Sequence, residues 1–254
     1  MRAEEVKPYD EGRAKGEQVE AMFDSIAPAY DFMNSAMTFG MHRLWLRKAL
    51  GKLKEEESKQ NRPGTTEIID LATGTGDVAF KLGSQYPDAS ILGVDLSEGM
   101  LSLARRKLEK GVLADSSESR FRFEQGDCLN LSYPDNSFDI LTIAYGVRNF
   151  ENIGKGFAEF YRVLRPGGRF MILELSRPEN RIVRPFYDLY AKGIIPLIGR
   201  MVSKDSNAYR YLPASIAAMP PRRRITEMLE EAGFGKVISK PLTLGVVTFY
   251  IGEK

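Results

Sequence analysis

The sequence predicts an α/β fold, a doubly wound and mostly parallel sheet with helices on both faces, and three observations predict it. Short apolar runs of strand length alternate with helix-length amphipathic stretches from about residue 67 onward. The first run, IIDLATGTGD at residues 68–77, breaks at Gly74 and Gly76 into the start of a helix, which lets the backbone pass close beneath a ligand. The next run ends on Asp95, 19 residues beyond Gly76, where a carboxylate can accept both ribose hydroxyls of an adenosine.

Residues 1–16 are polar, mixed in charge and expected to be mobile. Val19, Met22, Phe23 and Ile26 then recur at helical spacing, and Pro28 ends or kinks that helix. Tyr30, Phe32, Met33, Met37 and Phe39 crowd into the next ten residues, either as core packing or as a lid over a cofactor. HRLWLRKALGKL at 42–53 reads as a helix with Leu44, Trp45 and Ala49 inward, and the charge run at 54–66, with Pro63-Gly64, reads as a solvated loop. Residues 1–54 are thus assigned to an N-terminal helical lid segment and 55–254 to the main domain. Strands are expected near 67–72, 90–95, 121–126, 138–144, 168–175, 236–240 and 243–251, and helices near 77–85, 98–110, 152–164 and 222–232. Residues 165–168, RPGG, stop a helix and feed a strand. The last two strands join at Pro241, too tightly for a crossover helix, and so pair antiparallel. Residues 181–220 interrupt the alternation with aromatic and aliphatic side chains, an insertion expected to overhang the carboxyl ends of the strands, where open α/β sheets bind ligands.

Bulk properties exclude several classes of function. Thirty-six basic and 34 acidic residues give a net charge of +2, too little for a general nucleic-acid field, and PPRRR at 220–224 reads as a solvated helix start. One cysteine and one histidine allow neither a disulfide framework nor a thiolate zinc site, so no metal is expected and a reducing cytoplasm fits. The charged N-terminus lacks a signal-peptide core, and no window reaches the ~18 apolar residues of a membrane span. The chain is expected to be soluble, or peripheral at a membrane. The cluster Phe186, Tyr187, Leu189, Tyr190, Ile194, Ile195, Leu197, Ile198 and Met201, flanked by Arg181, Arg184, Lys192 and Arg200, suits an interfacial contact, with a subdomain core or a homodimer contact as the alternative.

By the topological rule, the loops after the first four strands line one crevice, bringing together 73–77, 95–96, 127–128 and 144–149. The charge there bears on the ligand. A dinucleotide would set its pyrophosphate against Asp77 at the start of the helix, whereas S-adenosylmethionine carries a sulfonium and an ammonium group, for which Asp70 and Asp77 are favourable. Asp127 is placed to accept the adenine amino hydrogens, with the Cys128 backbone N–H on a ring nitrogen. A nucleophilic role for the Cys128 thiol is disfavoured because no base stands ready to ionise it.

DLATGTGD, GVDLSEGML, QGDCLNLSYPDNSFD and YRVLRPGGRF resemble the successive motifs of class I S-adenosylmethionine-dependent methyltransferases. More narrowly, MFDSIAPAYDFMNSAMTFGMHRLW, AYGVRNF and SNAYRYLPASI resemble the ubiquinone/menaquinone biosynthesis C-methyltransferases, a likeness that covers about residues 18–252. The resemblance implies strand order 3-2-1-4-5-7-6 with strand 7 antiparallel. It also implies cofactor contacts at Thr75, Asp95, Asp127 and Cys128, and a polyprenylated quinol as the substrate, methylated on a ring carbon. Where some members carry a serine after strand four, this chain has Ala144. A phenol with a pKa of about 10 must be ionised before its ring carbon attacks the methyl group. Arg148 and His42 are the candidates for that role, as electrostatic stabiliser and as base, with Tyr30, Asn149 and Tyr209 as further substrate contacts. A methyltransferase for another hydrophobic small molecule is the alternative within enzymes, and a cofactor-binding protein without catalysis is an alternative of another class.

Overall fold

The computed structural model describes residues 2–9, 12–59, 66–111, 118–194 and 206–254. Seven strands, β1 Glu67–Leu71, β2 Ser90–Asp95, β3 Phe121–Gln125, β4 Phe138–Ala144, β5 Leu164–Leu175, β6 Gly235–Leu242 and β7 Val247–Glu253, form one sheet. Their order is 3-2-1-4-5-7-6, parallel from β3 through β5, with β7 antiparallel to both β5 and β6. The helices are α1 Lys15–Ile26, α2 Tyr30–Thr38, α3 Met41–Glu57, α4 Asp77–Gln85, α5 Glu98–Glu109, α6 Ile153–Val163, α7 Val183–Leu189, α8 Ser206–Ala218 and α9 Arg222–Glu231.

Alternate residues of each strand feed opposite faces of the sheet, as the two-residue period requires. Phe170 and Ile172 of β5 join Phe157 and Phe160 of α6 and Leu229 of α9 on one face. Met171 and Leu173 join Trp45, Leu50 and Leu53 of α3 with Val78, Phe80 and Leu82 of α4 on the other. A third cluster, built from Val19, Met22 and Ile26 of α1, Met33 of α2, Met100 of α5 and Tyr209 and Tyr211 of α8, lies apart from these two. This cluster joins the N-terminal helices to the insertion.

The structure corrects five sequence expectations. Residues 1–16 are not a loose tail in their described part: Ala3, Val6 and Lys15 are buried, because the segment finds backbone partners on the loop after β4. Leu44 faces outward at 37% exposure, and Leu46 takes the inward position beside Trp45 and Ala49. Helix α3 runs through Glu57 into the expected loop, carried by Lys52 pairing with Glu55 and Glu56; residues 60–65, with Pro63-Gly64, lie outside the described residues. Between β6 and β7 the chain turns at 243–246, and Pro241 stays in β6, an edge strand that tolerates its missing N–H. Strand β5 begins at Leu164, so RPGG lies within it at a register shift against β4.

Candidate active site

The crevice is built from strand ends. Where β1 stops, Asp70 is fully buried and accepts hydrogen bonds from the Thr73 and Thr142 hydroxyls, both at 2.6 Å, which fixes the glycine loop against β4. Burial pushes the Asp70 carboxyl up to about 7. Gly74 and Gly76 both have positive φ, and a Cβ on Gly76 would stand 2.8 Å from the Phe80 ring, so glycine is required there for packing as well as conformation. Asp95 ends β2 with one carboxylate oxygen accepting from Gly74 N–H at 2.8 Å and the other from Ser97 N–H at 2.9 Å. Each oxygen keeps a second acceptor position. Burial, reinforced by the like charge of Asp24, raises this carboxyl to about 6.

Around these groups lies a cavity of about 300 Å³. Glu17, Glu20, Asp95, Asp127 and Glu151 line it, and no lysine or arginine does so among the described residues. Carboxylates without a cation suit a sulfonium and an ammonium group and repel a pyrophosphate. The walls therefore fit S-adenosylmethionine, with Asp95 for the ribose and the acidic rim for the positive charges. Asp77, expected from the sequence to face the ligand as a bare negative charge, is instead neutralised by Lys107 at 2.7 Å, and Asp70 does not line the cavity; the acidic rim supplies the negative charge in their place.

Helices α1 and α2 form the outer wall and are tied down by polar contacts. Asp24 of α1 accepts from Ser97 Oγ at 2.5 Å and Gly99 N at 3.0 Å, at the N-terminus of α5. Asp31 of α2 pairs with Lys107 of α5 at 2.6 Å and accepts from Thr75 Oγ1 at 2.7 Å.

A second cavity of about 310 Å³ adjoins the first, and Phe23, Tyr30 and Tyr145 line both. Its walls are methionines and aromatics from α1, α2, α7 and α8, with Arg148, His42, Asn34 and Thr38 among its polar groups and no carboxylate among the described residues. Arg148 is buried; its Nη1 donates to Glu174 Oε1 at 3.1 Å and to the Tyr145 carbonyl, while its Nε has no partner among the described residues. Tyr145 holds φ at 61°, as does Ala72 at 48° beyond β1, so both strand ends on the crevice are in the left-handed region. His42 shares a 2.8 Å hydrogen bond between Nδ1 and Thr38 Oγ1, and burial lowers its pKa, leaving a neutral imidazole at neutral pH.

The expected residues divide between the two cavities. Gly74, Asp95, Asp127, Cys128 and Asn149 line the acidic one, Arg148, His42 and Tyr209 the apolar one, and Tyr30 both. Thr75 lies outside both, its hydroxyl engaged by Asp31 and Lys107, and Gly76 serves the turn. Asp127 is exposed and accepts from Leu129 N–H at 2.8 Å; Cys128 is buried and its thiol is pushed far up, which agrees with a thiol that does not react. Asn149 accepts from Tyr211 OH at 3.0 Å. Sequence reasoning missed Phe23, Tyr145, Glu174 and Lys15. Tyr145 alone carried a signal, as the aromatic residue of the YGVRN loop.

The family model described as the ubiE/COQ5 methyltransferase family matches residues 11–254. Demethylmenaquinone methyltransferase of Bacteroides fragilis is 41% identical over 251 residues, covering 99% of this chain and 98% of the relative. The ubiquinone/menaquinone biosynthesis C-methyltransferase UbiE of Geotalea daltonii is 40% identical over 241 residues, covering 94% and 97%. Among solved structures, a SAM-dependent methyltransferase from Aquifex aeolicus is similar with a TM-score of 0.56 and 17% identity, covering 83% of this chain and 92% of that one, a likeness of fold.

Proposed function

The chain belongs to the ubiE/COQ5 methyltransferase family, and from that premise we propose that it transfers the methyl group of S-adenosylmethionine to a ring carbon of a polyprenylated quinol. Demethylmenaquinol is the substrate suggested by the names of the relatives, and a ubiquinone-pathway benzoquinol is the second. One observation carries the reading: among the described residues, a cavity lined by carboxylates and free of lysine and arginine meets, across Phe23, Tyr30 and Tyr145, a carboxylate-free cavity that holds Arg148 and His42.

S-adenosylmethionine supplies an electrophilic methyl group on a sulfonium. Gly74, Asp95, Asp127 and the Cys128 backbone hold it, with Thr75 acting through the loop. Tyr30 and Tyr209 orient the quinol, while Asn149, expected beside them, lines the donor's cavity and accepts from Tyr211 OH. Arg148, kept in place by Glu174, stabilises the phenolate form of the quinol hydroxyl. His42, neutral and within the same cavity, accepts the phenol proton. As the ring carbon–methyl bond forms, the sulfur–methyl bond breaks and a neutral thioether leaves; loss of the ring proton restores aromaticity. Residues 1–54 act as the lid segment of the 55–254 domain, with α1 and α2 as its closing part.

The test compares Arg148→Ala with His42→Gln, using a short-tailed demethylmenaquinol. Arg148→Ala is expected to lower turnover at least about tenfold, or 1.4 kcal/mol, with unchanged affinity for the methyl donor. Loss of turnover in His42→Gln alone would reverse the two roles.

No described helix is long and apolar enough to cross a membrane. The protein works at a membrane surface through α7 and the residue that caps it, where Ile182, Phe186 and Leu189 are each more than 70% exposed beside Arg181 and Arg184. Such a ridge suits shallow insertion among anionic headgroups, and a homodimer seated on the same ridge is the competing use. Ile195, Leu197, Ile198, Arg200 and Met201 of the cluster lie outside the described residues.

A further inference from the structure

Lys15 is 2% exposed, and its ammonium donates to three carbonyls: Ala3 O at 2.8 Å, Phe150 O at 3.0 Å and Arg148 O at 3.1 Å. All three of its protons are thereby used. Two of these carbonyls belong to the loop after β4, in and just beyond the short 3₁₀ turn Val147–Asn149 that presents Arg148 and Asn149. A single such turn holds its shape poorly by itself. Further contacts join the same two segments: Ile153 N–H donates to Glu4 Oε1 at 3.0 Å, and Gly16 N–H donates to Glu151 Oε1 at 2.6 Å. Ala14, Gly16 and Glu17, on either side of Lys15, line the acidic cavity. The N-terminal segment thus crosses the catalytic loop as a strap, with Lys15 as its central fastening.

We propose that Lys15 is a positioning residue for the methyl transfer, its ammonium clamping the Arg148 and Phe150 carbonyls so that Arg148 is presented to the quinol cavity. The proposal rests on the assignment of Arg148 to the substrate oxygen. A neutral or apolar side chain would fasten the strap at lower cost than a second buried cation beside Arg148. The ammonium does what those side chains cannot, since it holds several carbonyls at once by charge-assisted bonds. Among the charges around it, Arg148 on the loop lowers its pKa, while Glu4 on the strap and Glu151 on the loop raise it. Burial is the largest influence, and the result is about 8. The clamp is therefore complete below about pH 8, and above it loses its charge and one of its three donors. Stability moves the other way: the folded pKa lies below the ordinary 10.5, so Lys15's own contribution to folding rises from about pH 8 to 10.5. A fastening that served stability alone would not lose activity over that range.

The experiment measures kcat, the KM for S-adenosylmethionine and the melting temperature of wild type, Lys15→Met and Arg148→Ala between pH 7 and 9.5. Lys15→Met is expected to lower kcat at pH 7 at least about tenfold, with KM within about threefold. The wild-type kcat should fall above about pH 8 while the melting temperature does not fall, and this descending limb should be absent from Lys15→Met. A Lys15→Met enzyme within threefold of wild type, or one that keeps the limb, would overturn the proposal. Should that variant not fold, the wild-type profile decides, since the absence of a descending limb over a pH range where the melting temperature does not fall also overturns it. A crippled Arg148→Ala beside an intact Lys15→Met would overturn this inference alone, whereas a silent Arg148→Ala would remove the assignment beneath it.

Discussion

Asp95→Ala gives the sharpest test of the acidic cavity. Both carboxylate oxygens already accept a backbone N–H, from Gly74 at 2.8 Å and Ser97 at 2.9 Å, which aims the remaining acceptor positions and holds the glycine loop against the end of β2. Two ribose hydroxyls bonded to that carboxylate contribute roughly 1.5–3 kcal/mol each before water compensates their loss. A net loss of about 2.8 kcal/mol, roughly a hundredfold in Kd, is expected from calorimetric titration with S-adenosylmethionine at pH 7.5. Acid supplies a second arm without mutation. Because burial raises the carboxyl from 3.8 to about 6, the ionised acceptor is lost as pH falls below about 6, and wild-type affinity should weaken between pH 7 and 5. The sign for folding is opposite. A raised acid pKa favours the native state by roughly 3 kcal/mol below pH 3.8, an advantage lost as pH rises through 6, so the weakened binding is not Asp95-driven unfolding. Asp95→Ala affinity within threefold of wild type, or wild-type affinity flat from pH 7 to 5, would refute the assignment.

Lys107→Met removes the ties to Asp31 and Asp77; with the side chain a quarter exposed, an effect of about 1 kcal/mol is expected, read as a roughly fivefold weaker Kd for S-adenosylmethionine and faster proteolysis within α1 and α2. Gly76→Ala places a Cβ 2.8 Å from the Phe80 ring at φ +84°, and thermal melts should show a loss of roughly 2 kcal/mol, or about 4–8 °C. Flotation with anionic liposomes should separate wild type from a folded Phe186→Ser, Leu189→Ser variant; equal partitioning of the two would remove α7 as the membrane contact, and a dimer dissociated by the same changes would assign the ridge to a second copy.

The sheet was legible because each strand carries its own signal. Runs such as ILGVD and FDILTIA are apolar on both faces, as parallel strands covered by helices on two sides must be, and their order followed from the resemblance once the glycine loop and Asp95 were placed. The positions of Asp95 and Arg148, though not their roles, were legible for a related reason, since topology alone carries the ends of β2 and β4 to the same edge of the sheet. Contacts that depend on tertiary pairing were not legible. Nothing local distinguishes Lys15 from the other lysines of a charged N-terminus, because two of its three partners are carbonyls more than 130 residues away. Thr75 is a parallel case: the resemblance implied a cofactor contact there, and its hydroxyl is engaged by Asp31 on a helix that sequence could describe only as packing or lid. Leu44 and Leu46 stand two residues apart in one helix, and only the neighbours of α3 decide which is buried.

The division of charge between the cavities bears directly on the chemistry. A sulfonium and a phenolate approach as opposite charges and leave as a neutral thioether and a neutral ketone, so charge disperses in the transition state. Water opposes such a step by solvating both reactants, and an environment that excludes it lowers the barrier. The residues lining both cavities here are two tyrosines and a phenylalanine, with the Tyr145 hydroxyl buried and unpartnered among the described residues. Two of the three, Phe23 and Tyr30, come from α1 and α2 rather than from the sheet. The helices that bring them are held by Asp24, Asp31 and Lys15 to the ends of β1, β2 and β4, the same loops that carry Gly74, Asp95 and Arg148. Helices α1 and α2 and the loops after β1, β2 and β4 are thus fastened to each other at several points, so on the proposed reading the groups that exclude water and the groups that set the charges are held as one unit.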